Sequence, residues 1–246
     1  MKKATLLLFL CSMFSIGISQ TIMPCLHDLG VHALEQEFPG YKEAVDKTFH
    51  DAKNSVSPRI QDIYTIPVVV HVVWKNAAEN LPMEDIEDQI AELNHSYRRQ
   101  NPDTVNMRPI FADVAGDAGI EFFLHDVVRV ETNAEFTPSF SLTAASMPDE
   151  VKRTADGGSD PYDVNHFLNI WVCKINPLNI FGQESPILGY AYPPAGLPNW
   201  PPDAVPADPD VQGVVVDYRA FGKGKTFSIP DPNGGQLVLP LSLIHI

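Results

Sequence analysis

Three apolar segments between Asp156 and Gly222 constrain the fold more than any other part of the chain. Leu168–Ile175 is apolar, β-branched and aromatic and stops at an Asn-Pro pair, a pattern that predicts a buried strand. Val214–Tyr218 predicts a second strand of the same kind. The shorter segment between them, Leu188–Tyr192, runs into two prolines, which a sheet tolerates at its edge. We therefore expect two inner strands and one edge strand.

The first half of the chain predicts a strand, a helix and a further strand. The run Ile66–Trp74 is almost unbroken in β-branched residues, which is typical of a strand covered on both faces. Apolar residues step by three and four through 83–97, which predicts an amphipathic helix, and Ile120–Val128 predicts the next strand. This order forms a right-handed crossover, so the two strands should be parallel. His71 has no partner at helical or turn spacing and is interpreted as a hydrogen-bonded core residue. Further on, Glu150–Arg153 favours a short helix.

The amino-acid sequences of these segments resemble those of the pappalysin family of metzincin zinc endopeptidases. The similarity is carried by LNIWVC, LGYA-x-P and GVVVDYRAFG, together with IPVVVHVVW and the helix QIAELNHSYRRQN. It implies an α/β fold, the N-terminal (upper) subdomain of a metzincin, with a twisted five-stranded, mostly parallel sheet backed by helices. Leu188–Tyr192 would be its antiparallel edge strand, above the active-site cleft.

The resemblance also implies a zinc-activated water that hydrolyses peptide bonds, with calcium as a further candidate cofactor. In that family the helix after GVVVDYRAFG carries H-E-x-x-H-x-x-G-x-x-H. None of the eight histidines of this chain is followed by glutamate. We therefore expect a chain truncated before the zinc helix, inactive, with neither catalytic nor metal-binding residues and no bound ion of its own. The residues at 241–246 are expected to be a non-native tail.

The edge strand is the predicted substrate-binding element. Its unpaired backbone N–H and C=O groups could pair with an extended peptide, which would add the substrate as another strand. The candidate contact residues are Gly189, Tyr190, Ala191 and Tyr192. The alternative is that these residues only complete the sheet.

Cys25 resembles the propeptide cysteine of pappalysin-like precursors, which precedes a helical pro-segment. A thiolate at that place can occupy the fourth zinc position and keep the enzyme latent as a zymogen. The competing interpretation is a disulfide between Cys25 and Cys173 in an oxidising compartment. Apolar residues recur at helical spacing over 41–52, which predicts a helix in this segment. Arg59, in a polar linker next to a proline, is the candidate activation cleavage site.

The N-terminus has the pattern of a secretory signal. Lys2-Lys3 precede the apolar run Leu6–Ile16 and a small-residue cleavage site, and the run is too short to span a bilayer. The chain is thus predicted to comprise a signal peptide at 1–19, a pro-segment at 20–60 and the N-terminal part of the catalytic domain at 61–240. The protein would be secreted, extracellular or periplasmic, and bacterial.

The formal net charge of −14 argues against nucleic acid as a partner, because an acidic surface repels phosphates. The expected partners are peptide or protein substrates, with no membrane after signal removal. Two other functions compete with a peptidase precursor. One is a secreted, non-catalytic domain that holds peptides along its edge strand. The other is a hydrolase that uses Asp160, Asp163 or Glu184, although no spacing pairs these acids and loop carboxylates are usually only solvated.

Overall fold

The protein is described by a computed structural model that covers residues 26–54, 62–140, 145–180, 183–192, 208–222, 224–230 and 236–240. The strands in chain order are β1 (Tyr64–Trp74), β2 (Ile120–Glu131), β3 (Ser139–Phe140), β4 (Ala145–Ser146), β5 (Leu168–Cys173), β6 (Leu178–Ile180), β7 (Gln183–Ser185), β8 (Gly189–Ala191), β9 (Val214–Asp217), β10 (Thr226–Pro230) and β11 (Gln236–Pro240). The α-helices are α1 (Leu26–Glu37), α2 (Tyr41–Asn54) and α3 (Met83–Tyr97).

A five-stranded sheet in the order β2-β1-β5-β9-β8 forms the centre of the molecule. The contacts β1–β2, β1–β5 and β5–β9 are parallel, and β8 is antiparallel to β9. Three antiparallel hairpins, β3–β4, β6–β7 and β10–β11, complete the strands of the described chain. The sheet and the helices beside it confirm the fold class predicted from the sequence.

β1 lies inside the sheet because its β-branched residues can be covered on both faces. Val68, Val69, Val70, Val72 and Val73 are all buried. Each fully buried valine side chain contributes about 2 kcal/mol relative to an exposed one. β1 also pairs with β2 along one edge and with β5 along the other, so it is an inner strand of the sheet.

The two faces of the sheet have separate apolar cores. On one face α3 packs against the strands, and the buried residues include Val68, Val70, Val72, Ile86, Ile90, Ile170 and Val216. On the other face the loops and short helical turns cover Val73, Val151, Trp171, Cys173, Ile175 and Val215. The Asn94 side chain fixes α3 to β2, because its amide donates to the Phe122 carbonyl at 2.8 Å and accepts from the Phe122 N–H at 2.6 Å.

The predicted strands are present, but the three in the C-terminal half of the chain are shorter than the sequence predicted. The strand predicted for Leu168–Ile175 ends at Cys173, since the Ile175 N–H donates to the Asp217 carboxylate at 3.0 Å. The strand predicted to reach Tyr218 ends at Asp217, which caps the 3₁₀ turn Tyr218–Ala220. The edge strand spans Gly189–Ala191 rather than Leu188–Tyr192.

The predicted helices also have counterparts in the structure. α3 coincides with the helix expected over 83–97, and α2 with the one expected over 41–52. Tyr41 and Ala44 of α2 are buried, but Phe49 is 71 % exposed. The short helix expected near Glu150 is a 3₁₀ helix, Asp149–Lys152. None of the helices in the described ranges combines the length and apolarity needed to cross a bilayer.

Candidate functional site

β8 is the outer strand at one end of the sheet, and among the described residues only its β9 edge is paired. The Asp217 N–H donates to the Leu188 carbonyl at 2.9 Å. Hydrogen-bonded and non-hydrogen-bonded pairs alternate along an antiparallel ladder. The backbone groups of Tyr190 therefore also face β9, whereas those of Gly189 and Ala191 face outward. An extended peptide could pair with these outward groups as a further strand.

The tyrosines of this segment are fixed to a loop on one face of the sheet. The Tyr190 hydroxyl donates to the Pro148 carbonyl at 2.9 Å, and the Tyr192 hydroxyl donates to the Asp149 carboxylate at 2.8 Å. Burial raises the pKa of both tyrosines well above its usual range, so both remain neutral donors. Their side chains thus stabilise the edge strand from this face of the sheet.

A cleft of about 670 Å³ lies on the opposite face of the sheet, beside α3. Its apolar lining is formed by Leu93, Phe122, Leu168, Ile170, Val214 and Phe221, and Ala191 of β8 borders it. Gln89 and Ser96 of α3 also line it, and the Gln89 amide nitrogen and the Ser96 hydroxyl are buried without a hydrogen-bond partner. An occupant of this cleft would have to be mainly apolar.

His71 is a satisfied core residue, as the sequence predicted. Its Nδ1 lies 2.8 Å from the Ser159 hydroxyl, its Nε2 lies 3.0 Å from the Asn169 Oδ1, and its ring stacks on Trp171 with 5.0 Å between the centroids. Asn169 Nδ2 donates to the Tyr162 carbonyl, which assigns Asn169 Oδ1 as the acceptor of the His71 Nε2–H. Burial lowers the pKa of His71, and the hydrogen bond to Asn169 opposes that shift. The imidazole is thus neutral and structural.

The carboxylates considered for a hydrolase make local loop contacts. Asp160 accepts from the Thr154 N–H at 2.8 Å. Asp163 accepts from the Asn165 N–H at 2.9 Å and lies 2.6 Å from the His166 Nδ1, and these hydrogen bonds lower the Asp163 pKa to about 2. Glu184 is exposed on β7. These contacts favour the interpretation of solvated loop acids.

Both residues predicted to control latency, Cys25 and Arg59, lie outside the described ranges. Their roles therefore remain sequence-based predictions. Cys173 is a free thiol, fully buried at the end of β5. Burial raises its pKa well above the usual range, which keeps it protonated and unreactive.

No group of three or more His, Cys, Asp or Glu side chains suited to hold a metal ion is found within the part of the chain that the structure describes. The described residues therefore do not fit a zinc centre by themselves.

The sheet defines the class of the fold. A five-stranded, mostly parallel sheet with an antiparallel edge strand and helices beside it is the arrangement of metalloprotease-like proteins. No protein-family model and no curated protein matches this chain.

Solved structures of mirolysin and its precursor, pappalysin-family metzincin proteases, are similar to this chain. Mirolysin in complex with compound 9 is 34% identical, with a TM-score of 0.53, and the match covers 66% of this chain and 55% of that one. Tannerella forsythia mature mirolysin in complex with a cleaved peptide is 34% identical, with a TM-score of 0.52, over 66% of this chain and 56% of that one. A Tannerella forsythia promirolysin mutant is 30% identical, with a TM-score of 0.57, over 79% and 59%. The chain thus spans little more than half the length of these proteins.

Sequence reasoning missed Lys152, a residue that contacts both tyrosines of the edge-strand segment. Its partner Asp149 lies only three residues earlier, but Val211 and the two tyrosines lie far away along the chain, so no local spacing could reveal these contacts. The available signal was an acid and a lysine three residues apart in a short segment that also favoured a helix.

Proposed function

We propose that this chain is part of a secreted, pappalysin-like zinc metalloendopeptidase precursor, and that β8 aligns the peptide substrate. The observation that carries the proposal is the outer edge of β8, which has no partner strand among the described residues and at which the backbone groups of Gly189 and Ala191 face outward. The similarity to mirolysin, of which one structure holds a cleaved peptide, supports a peptide as the ligand. In this proposal Tyr190 and Tyr192 contribute mainly by holding the strand in place.

The cleft beside α3 supports the second part of the proposal. Its apolar lining suits the apolar face of an amphipathic helix. We assign that place to the zinc helix of the complete enzyme, which would supply the metal ligands and the general base. Zinc would then activate water for peptide hydrolysis.

The remaining segments complete the proposed precursor. Residues 1–19 would be the signal peptide, 20–60 the pro-segment and 61–240 the N-terminal part of the catalytic domain. Cys25 would cap the zinc until cleavage at Arg59 releases the pro-segment. The helices α1 and α2 in the pro-segment are compatible with such a removable unit.

Peptide pairing along β8 can be tested with Ala191→Pro. This substitution removes the outward N–H and leaves the Tyr190 pairing with β9 in place, and edge strands accept proline at such positions. The probe is an acetylated, fluorescein-labelled peptide of alternating valine and threonine, and its binding is measured by fluorescence anisotropy. We expect the peptide to bind the wild-type chain and to show no measurable binding to the Ala191→Pro variant. Ala191→Ser, which keeps the N–H, is the matched control and should bind normally. Equal binding by both variants would contradict the proposed edge.

The zinc chemistry can be tested on the protein expressed from its complete natural gene. We expect about one zinc per molecule by elemental analysis and cleavage of casein that 1,10-phenanthroline abolishes and added zinc restores. The chain of 246 residues alone should cleave no casein. A complete protein that is metal-free and inactive, yet still binds the labelled peptide, would favour a non-catalytic peptide-binding domain instead.

A further inference from the structure

Lys152 carries a charge in the interior of the molecule. Its side chain is fully buried, in the 3₁₀ helix Asp149–Lys152 behind the edge strand. The ammonium donates to the Val211 carbonyl at 2.6 Å and pairs with the Asp149 carboxylate at 2.9 Å. A buried lysine is rare, and the cost of desolvating its charge must be offset by specific contacts. Such a residue therefore calls for an explanation beyond packing.

Aromatic rings surround the same ammonium. Its nitrogen lies 4.6 Å from the ring centroid of Tyr192, 5.2 Å from that of Tyr190 and 5.7 Å from that of Trp171. Cations are attracted to the faces of aromatic rings at these distances, most strongly where water is excluded. Burial lowers the pKa of Lys152, and the ion pair with Asp149 opposes that shift.

These contacts connect both members of the outermost strand pair. Tyr190 and Tyr192 belong to the β8 segment, and the Tyr192 hydroxyl also bonds the carboxylate that pairs with Lys152. Val211 ends the short helix Pro209–Val211, which leads directly into β9. The ammonium thus contacts the tyrosines of the β8 segment, the residue Val211 that precedes β9, and Asp149 of its own short helix.

We propose that Lys152 is a positioning residue that holds the β8–β9 pair in the geometry required for an incoming peptide strand. This inference rests on the proposed function of β8 as the substrate-binding edge. An edge strand of three residues has few hydrogen bonds of its own, so contacts behind it determine how well its outward groups are fixed. A rigid edge loses less conformational entropy when a peptide binds.

The test is Lys152→Met, which keeps most of the side-chain length and removes the charge. Hydrogen exchange is measured at the amides that report on the pair, those of Tyr190 and Asp217, with Val70 in β1 as the internal reference. We expect about tenfold faster exchange at the two reporting amides and little change at Val70. Lys174→Met, a substitution of an exposed lysine just after β5, is the matched control and should leave all three rates unchanged.

Peptide binding is the second measurement, with the labelled valine-threonine peptide as the probe. The dissociation constant should rise about fivefold or more for Lys152→Met and stay unchanged for Lys174→Met. If Lys152→Met does not fold, Asp149→Asn provides the same test, because it removes the charge partner and keeps an acceptor for the Tyr192 hydroxyl.

The outcomes separate this inference from the proposed function. Unchanged exchange at Tyr190 and Asp217, or equal acceleration at Val70, would overturn the positioning role. Accelerated exchange in a protein whose wild-type form does not bind the peptide would support the positioning of β8 but contradict its role in substrate binding.

Discussion

At the scale of single residues, Asp217 organises the carboxyl ends of two neighbouring strands. Its buried carboxylate accepts from the Ile175 N–H at 3.0 Å, just beyond β5. It also accepts from the Arg219 N–H at 2.9 Å and from the Arg219 Nε at 2.7 Å. A single side chain thereby ends β9, starts the turn that follows it and directs the chain leaving β5.

Asp217→Asn should weaken this arrangement. An amide retains one acceptor oxygen, and its nitrogen would face either the Arg219 guanidinium or the Ile175 N–H. Removing one partner of a buried ion pair usually costs several kcal/mol, and because Arg219 is partly exposed we expect a loss of about 2 kcal/mol. Urea unfolding at pH 7 measures it. Asp210→Asn, at an exposed position, should change stability by less than about 0.5 kcal/mol, and a similar loss in both variants would refute the role of Asp217.

His71 predicts how stability depends on pH. Burial holds its folded-state pKa below the usual value of about 6.5. The unfolded chain therefore binds a proton more readily than the folded protein, so this contribution to stability is fully present above pH about 6.5 and is lost as the pH falls below it. The slope from this one group is at most about 1.4 kcal/mol per pH unit.

The contribution can be isolated with His71→Gln, which keeps hydrogen-bonding groups but does not titrate. The stability difference between wild type and variant, from urea unfolding at pH 7.5 and pH 5, should shrink at the lower pH. Carboxylates also lose stability in acid, but they do so in both proteins and cancel in the difference. A difference that stays constant would mean that His71 titrates alike in the folded and unfolded states.

At the scale of elements, the sequence was most informative where burial alone determines structure. The valine run of β1 predicts its own position in the sheet because a strand covered on both faces needs apolar residues throughout. The stripe of α3 predicts a helix for a similar reason. The strand ends at Cys173 and Asp217 were less predictable, because they depend on the hydrogen bond between Ile175 and a carboxylate distant in sequence.

The candidate site, too, was predictable from the sequence only in part. The edge strand was predictable from its position between two apolar segments and from the prolines that follow it. The outward direction of the Gly189 and Ala191 backbone groups was not, because it depends on the register with β9. The aromatic surroundings of Lys152 also escaped prediction, since they form only after β5, β8 and β9 have assembled.

Gly213 shows how closely these elements approach one another. It precedes β9 with a φ of +122°, and a Cβ there would lie 2.5 Å from the Asn169 carbonyl oxygen and 2.8 Å from the Trp171 ring. We expect Gly213→Ala to cost more than about 3 kcal/mol in urea unfolding, because a backbone oxygen cannot move aside. Gly224→Ala, with a φ of +69° and open space around it, should cost only about 1 kcal/mol. Equal losses would show that backbone strain, not the close contact, determines the effect.

At the scale of the whole molecule, the two faces of the sheet are covered unequally. One face is closed by loops over Trp171 and its neighbours. On the other face α3 packs over β1 and β2, whereas the cleft next to β5 and β9 stays open among the described residues. The open region adjoins the edge proposed to bind peptide, so whatever fills the cleft will also influence Ala191.

This arrangement predicts that the 246-residue chain binds the apolar dye ANS through the cleft. Val214→Thr keeps the shape of a cleft residue while adding a hydroxyl, so it should lower ANS fluorescence in proportion to the apolar surface it removes. Val128→Thr makes the same exchange at a partly exposed position of β2 away from the cleft and should leave the fluorescence unchanged. If both variants bind the dye like the wild type, ANS binds elsewhere, which contradicts the prediction that the cleft binds the dye. If Val214→Thr alone loses binding, the cleft is open in this chain, as the proposed place for the zinc helix requires.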